Sequence, residues 1–260
     1  MNPTRKGAAD NSVHLRVATY NVLFGEMGTA RQIGEMFKPY DLDVICFCEV
    51  PGGTWTAEAG EALGMKHSFV GNCPSACHKD KYKSILSRTP LVGLAETEPR
   101  GTGWYPRTLV RAETIVRTVP ITIYSLHVPG SAHTKDLSGH DPAASVAGCI
   151  AAGVVTAEQA PELIMMGDYN DRLDSGNLDL MAHAGMRSTW SDLGEDLSQS
   201  FTFSQGGLGV EHAGVIDHIF YRTASGTKAV AGGIIELDPP LSDHKPIWAE
   251  LVLGTPVRGT

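Results

Sequence analysis

Six apolar segments of this chain end in, or open on, side chains that can hold a proton or a cation. "LRVATYN" closes on Asn21, "DVICFCE" on Glu49 and "VPITIYSLH" on His127. "ELIMMGDYND" runs through Gly167 into Asp168, Asn170 and Asp171, "GVIDHIFY" carries Asp217, and "LSDHKPIWAEL" sets Asp243 and His244 just before an apolar run. Carboxylates and amides are hard oxygen ligands that favour Mg²⁺ or Mn²⁺ over zinc. Histidine donates protons or hydrogen bonds to an oxyanion near neutral pH. An acid amid Val215, Ile216, Ile219 and Phe220 is costly unless paired, and a histidine partner would settle that cost while its own tautomer is fixed. A divalent cation, an activated water and imidazole together suit attack on a phosphoryl centre.

Each ending also has a plain reading, since Asp, Asn and Gly form turns and Asp243-His244 can cap a strand. A calcium loop at Asp168 is excluded, because it needs an oxygen ligand and then Gly where Arg172 and Leu173 stand. Six turn-forming coincidences on six apolar segments are the less economical account.

To bring these groups together the segments must be strands that share one edge. Apolar alternation predicts strands over 14–20, 43–49, 66–70, 83–87, 91–98, 107–117, 120–127, 162–167, 215–222, 228–236 and 246–253. Helical spacing is expected near 29–38, 55–63, 142–155 and 175–184. Many strands and few helices, opening in a β-α-β order, predict an α/β fold of two packed sheets covered by helices. No repeat or low-complexity linker interrupts the chain, so one domain is expected over 1–260, with its core about 14–253.

Hydrophobic residues make up 42% of the 260 and charged residues 19%, the balance of a soluble globular protein. The longest small apolar stretch, Ala143–Val155, falls short of the ~20 residues of a membrane span. The first twelve residues carry no apolar signal core, so a cytoplasmic protein is expected. A net charge of -8 argues against a broad basic surface for non-specific DNA binding, though not against an enzyme whose cations meet a polyanion. Cys46, Cys48 and Cys149 read as buried thiols. Cys73, Cys77 and His78 lack a second ligand pair, so neither a structural zinc nor a local disulfide is predicted there.

Taken in order, "VATYNV", "CFCEV", "KSILSRTPL", "YSLHVPG", "MMGDYND", "IDHIFY" and "LSDHKPI" resemble the signature segments of the endonuclease/exonuclease/phosphatase superfamily, over residues 15 to 253. The resemblance implies a four-layer α/β/β/α sandwich of DNase I-like type and a Mg²⁺- or Mn²⁺-dependent phosphoester hydrolase. It implies Glu49 and Asp243 as metal ligands, with Asn21 close to metal or phosphate. It implies Asp168 orienting or deprotonating the attacking water, Asn170 on the scissile phosphate, and His127 on the phosphoryl oxygens. His244, partnered by Asp217, would act as acid–base or oxyanion stabiliser.

The histidine in "SLHVPG" separates the chain from AP endonucleases and aligns it with DNase-like, sphingomyelinase-like and phosphatase-like branches. A phosphodiesterase is expected, with nucleic acid the leading substrate and small-molecule or lipid phosphoesters the alternative. An inactive binding protein is disfavoured because Glu49, Asp168 and His244 are all present. A monomer is expected. Lys83 and Arg107 read as either phosphate contacts or ordinary surface and ion-pair residues. Trp104 and Tyr105 could meet a membrane interface or a nucleobase. The 130–141 loop, with His133 and His140, is expected beside the cleft.

Overall fold

The structure, a computed structural model, describes residues 12–74, 81–97, 109–128, 146–176, 178–204, 213–222 and 226–254. In the first strand, β1 (Val13–Asn21), Leu15 and Val17 face one side while Ala18 and Tyr20 face the other, and all four are buried. A strand buried on both faces must lie inside a layered fold. β2 (Val44–Pro51) repeats the pattern.

Six strands form the first sheet. β1 and β2 lie at its centre, flanked on one side by β14 (Ile247–Leu253) and β13 (Lys228–Ile234), and on the other by β4 (Lys81–Ser87) and β3 (His67–Val70). The second sheet runs β5 (Val92–Thr97), β6 (Leu109–Val116), β7 (Val119–His127), β8 (Leu163–Asp168), β12 (Asp217–Arg222), β9 (Met186–Ser188). A short ladder joins β10 (Phe203–Ser204) to β11 (Ala213–Gly214).

Each large sheet holds one parallel pair, β1–β2 and β7–β8, and every other pairing in the two is antiparallel. A parallel pair requires a crossover. α1 (Ala30–Phe37) lies in the first crossover and α3 (Val146–Ala157) in the second. Thr29 caps α1, its hydroxyl accepting from the Gln32 backbone while the Gln32 side chain accepts from the Thr29 N–H.

Three apolar clusters separate four layers. One joins α1 and α2 (Trp55–Leu63) to the first sheet through Tyr20, Ile33, Phe37, Phe47 and Trp55. The second lies between the sheets, built from Leu15, Val17, Cys46, Ile85, Ile123, Met166 and Ile219. The third seats α3 and α4 (Asp179–His183) on the second sheet through Tyr124, Leu126, Val155, Met165 and Met181. The sandwich expected from sequence is the architecture observed. Among the described residues no helix is long and apolar enough to cross a membrane.

The differences from expectation lie in short pieces. The helix expected over 175–184 is a 3-10 turn at Leu173–Ser175 followed by the five-residue α4. The strand expected over 215–222 starts only at Asp217, which puts that acid at a strand end rather than inside one. β9, α5 (Thr189–Leu193), β10 and β11 had no sequence signal, being too short to show a period.

Candidate active site

The parallel strands β1, β7 and β8 all end at one edge of the sandwich. Register places His127 beside Asp168 and Asp168 beside Asp217, so three polar residues stand abreast on three neighbouring strands. Alternation puts all three on the face between the sheets, in line with Ile123, Met166 and Ile219. Asn21 ends β1 on that same face, in line with Leu15 and Val17. The site is therefore the polar rim of the inter-sheet core.

Glu49 breaks the alternation. Ile45 and Phe47 face the helices, and period two would send Glu49 there as well. The β2–β4 ladder slips between Phe47 and Val50, and Glu49 adopts a left-handed φ of 55°. This bulge turns the carboxylate inward, where Oε1 accepts from Asn21 Nδ2 at 3.1 Å. The same amide donates to Asp168 Oδ2 at 3.1 Å, tying the two acids together.

Gly167 sets how closely β7 and β8 approach. A Cβ there would lie 1.9 Å from the Leu126 carbonyl oxygen, so only glycine lets Asp168 reach its place. His127 Nε2 lies 3.4 Å from Asp168 Oδ2 and 3.8 Å from Glu49 Oε1. His244 Nδ1 lies 2.9 Å from Asp217 Oδ2, and its Nε2 lies 3.7 Å from Asp168 Oδ2. Asp217, buried in the strand edge, thus has the histidine partner that its surroundings demand.

Residues that the sequence reading did not single out hold this pair. Ser242 Oγ donates to the Asn21 carbonyl at 2.8 Å and accepts from the His244 N–H at 3.2 Å, fastening the Asp243-His244 turn to the end of β1. Thr202 Oγ1 accepts from the Asp217 N–H at 3.2 Å, and the Phe203 ring packs 4.8 Å from the His244 ring. The serine before Asp-His was the one legible hint, since serine commonly braces a turn.

Of the expected site residues, Asn21, Glu49, His127, Asp168, Asp217 and His244 are buried together at this edge. Asn170, at φ 50°, is half-buried; its N–H donates to Asp168 Oδ1 and its amide nitrogen to the Val128 carbonyl, both at 2.8 Å. Asp243 is half-buried, with its Oδ1 3.3 Å from Ser242 Oγ. Lys83 is wholly buried, which corrects the reading of it as a solvated strand residue. Cys46 and Cys48 are the expected buried thiols. Arg107, Trp104, Tyr105, Cys77, His78 and the 130–141 loop with His133 and His140 lie outside the described residues, as does the Cys149 side chain.

Burial and neighbouring charge perturb four of these groups, Asp168, His244, His127 and Glu49. Burial lifts the Asp168 carboxyl to about 7, with the Asp217 charge adding to the rise and His244 opposing it. Burial lowers a histidine, yet the charges of Asp217 and Asp168 outweigh it and hold His244 up at about 10. Burial, with Lys83 and His244 nearby, pushes His127 down to about 3. Burial raises Glu49 as well, against the Asn21 amide. The set thus holds one charged imidazole, one neutral imidazole and a carboxylate poised near neutrality.

Asp168, Asp217 and His244 bring donor atoms within 4.8 Å of one another and could hold a metal. Two buried carboxylate oxygens, Glu49 Oε2 and Asp217 Oδ1, have no hydrogen-bond donor among the described residues. An orphaned buried acceptor is costly, and a cation satisfies it. The donor set is rich in hard oxygen, so these residues fit a divalent ion.

Two mixed sheets packed face to face between helices, with the polar cluster at the edge where the parallel strands end, define the DNase I-like fold. The chain belongs to the endonuclease/exonuclease/phosphatase family, whose sequence profile matches residues 18–244. No curated protein matches the sequence. Solved structures share the fold. A family protein from Leptotrichia buccalis superposes with a TM-score of 0.70 at 16% identity, covering 91% of this chain and 99% of that one. One from Beutenbergia cavernae gives 0.68 at 17%, covering 93% and 72%. D. rerio TDP2, complexed with a single-strand DNA product, gives 0.68 at 18%, covering 92% and 98%.

Proposed function

We propose that this chain is a Mg²⁺- or Mn²⁺-dependent phosphodiesterase, with nucleic acid its leading substrate. The observation that carries this reading is the meeting, on one sheet edge, of the Asp217–His244 pair, the buried Asp168 and the orphaned Glu49 oxygen. Glu49 and Asp243 would hold the ion, with Asn21 fixing the Glu49 carboxylate. A bound divalent ion neutralises charge on the phosphoryl group.

The remaining work falls to this chain's own side chains. Asp168, with a pKa near 7, is matched to accept the proton of an attacking water at neutral pH. As the new O–P bond forms, the bond to the leaving oxygen breaks in line. His244, protonated and oriented through Nδ1 by Asp217, donates from Nε2 to the leaving or equatorial oxygen. Neutral His127 donates a hydrogen bond from Nε2 without adding charge, and Asn170 contacts the phosphate. The nucleic-acid preference draws support from the DNA product bound by D. rerio TDP2, a protein of the same fold.

Purified protein with Mg²⁺ or Mn²⁺ is expected to nick supercoiled plasmid or degrade single-stranded DNA, and its Asp168→Ala variant to do neither. Intact DNA alongside hydrolysis of an aryl phosphodiester would move the substrate to small-molecule or lipid phosphoesters.

A further inference from the structure

His218 follows Asp217 on β12, and alternation turns it to the opposite face, toward the helices with Phe220. Its cross-strand neighbour on β8 is Gly167, which brings no side chain to that face. The imidazole is wholly buried and meets the rings of Tyr169 and Phe220 edge-on, with centroids 5.6 and 5.9 Å away. Its Nε2 lies 2.8 Å from the carbonyl oxygen of Asp171. A carbonyl only accepts, so the ring hydrogen sits on Nε2, and Nδ1 is left as an acceptor. No donor reaches Nδ1 among the described residues.

The Asp171 carbonyl ends the turn that carries Asp168 and Asn170. β12 ties this turn at both ends. The Ile216 carbonyl accepts from the Tyr169 N–H at 2.9 Å where the turn opens, and His218 donates to Asp171 where it closes. Between the two ties Asn170 sits at a left-handed φ of 50°, a conformation that persists only when its surroundings enforce it. In that conformation its N–H donates to Asp168 Oδ1 and its amide nitrogen to the Val128 carbonyl. The aim of the Asp168 carboxylate and the placement of Asn170 thus depend on a turn whose far end is held by one imidazole hydrogen.

Packing alone does not account for this residue. An apolar side chain of like size would fill the space beside Tyr169 and Phe220 without burying a lone pair that no donor satisfies, and such an orphan is costly. What histidine adds there is the Nε2 donor.

Resting on the phosphodiesterase reading, we infer that His218 is a positioning residue of the reaction. It touches no reacting atom. By holding the Asp171 carbonyl it keeps Asp168 aimed at the attacking water and Asn170 at the phosphate.

The test compares His218→Gln with His218→Met, two side chains of closely matched size of which only glutamine donates a hydrogen bond. The readout is steady-state hydrolysis of an aryl phosphodiester with Mg²⁺. His218→Gln should keep kcat within about threefold of native, and His218→Met should lose about tenfold or more, since a displacement near 1 Å can cost about a hundredfold. KM should stay within about twofold in both, because the loss falls on the transition state. In an Asn170→Ala background, where the turn is already released, exchanging Gln for Met at position 218 should change kcat by less than about twofold. Equal kcat in the two variants, a difference carried by KM, or a gap that persists undiminished in Asn170→Ala overturns the inference. So does a thermal melt showing that either variant fails to fold, which would make His218 a packing residue only. No hydrolysis by native protein overturns the phosphodiesterase reading and this inference with it.

Discussion

Asp168 is the residue on which stability and activity pull apart. Its carboxyl is raised from the ordinary 3.8 to about 7, chiefly by burial, so the folded chain resists its ionisation. The cost of ionising it is absent below the ordinary value and grows as pH rises from there toward 7. Asp168→Asn should therefore lose activity while its thermal midpoint rises at pH 8 by about 2–4 °C or more, the shift that ~1 kcal/mol gives a chain this size. Melting curves should show that gain shrinking to nothing near pH 4. His244 has the opposite sign. Its folded value of about 10 lies above the ordinary 6.5, so its pairing with Asp217 stabilises fully below 6.5 and fades as pH climbs toward 10. Asp217→Asn removes that partner, and kcat should fall by about 10²-fold or more as the imidazole loses charge and orientation. An unchanged kcat in Asp217→Asn would break the pair's assigned role.

At the scale of elements, two local departures from regular strand geometry build the site. Gly167 brings β8 within contact of β7, and Gly167→Ala would press a methyl into the Leu126 carbonyl. Denaturant titration should find it about 3 kcal/mol less stable, the range of overpacked core changes, and its residual folded fraction poorly active. The other departure is the bulge at Glu49, and it marks where sequence reading reached its limit. Alternation alone places Asn21, His127 and Asp168 on the inner face, because each ends a regular run of buried residues. The same rule sends Glu49 toward the helices, and nothing in "CFCEVP" announces a bulge without the neighbouring strand. Asp217 was legible as a buried acid needing a partner, yet its place opposite Asp168 depends on the antiparallel pairing of β12 with β8, strands far apart in sequence. Lys83 reads as one more strand lysine until the second sheet closes over it. Elements of two to five residues, such as β9 and α5, carry too few residues to show any period.

For the molecule as a whole, the two parallel pairs explain why one edge gathers the polar cluster. The ends of β1, β7 and β8, the start of β12 and the turn before β14 all arrive there, and the inter-sheet core continues into them without a break. That edge concentrates Glu49, Asp168, Asp217 and Asp243, whose mutual repulsion a divalent ion should relieve. Mg²⁺ or Mn²⁺ at about a hundred times its Kd should stabilise the fold by roughly 2.7 kcal/mol, seen as a higher thermal midpoint that EDTA reverses. Glu49→Gln should weaken that metal-dependent shift. An identical shift in Glu49→Gln would move the ion to the Asp168, Asp217 and His244 group.

In the proposed function these residues hydrolyse a phosphodiester with the help of a divalent ion. The most direct measurement is the steady-state hydrolysis of an aryl phosphodiester by native protein and by Asp168→Asn, each with Mg²⁺ and then with EDTA. Native protein with Mg²⁺ should turn the substrate over, lose all turnover in EDTA, and exceed Asp168→Asn by at least about 10²-fold. Turnover that persists in chelator, or that Asp168→Asn retains in full, would contradict it.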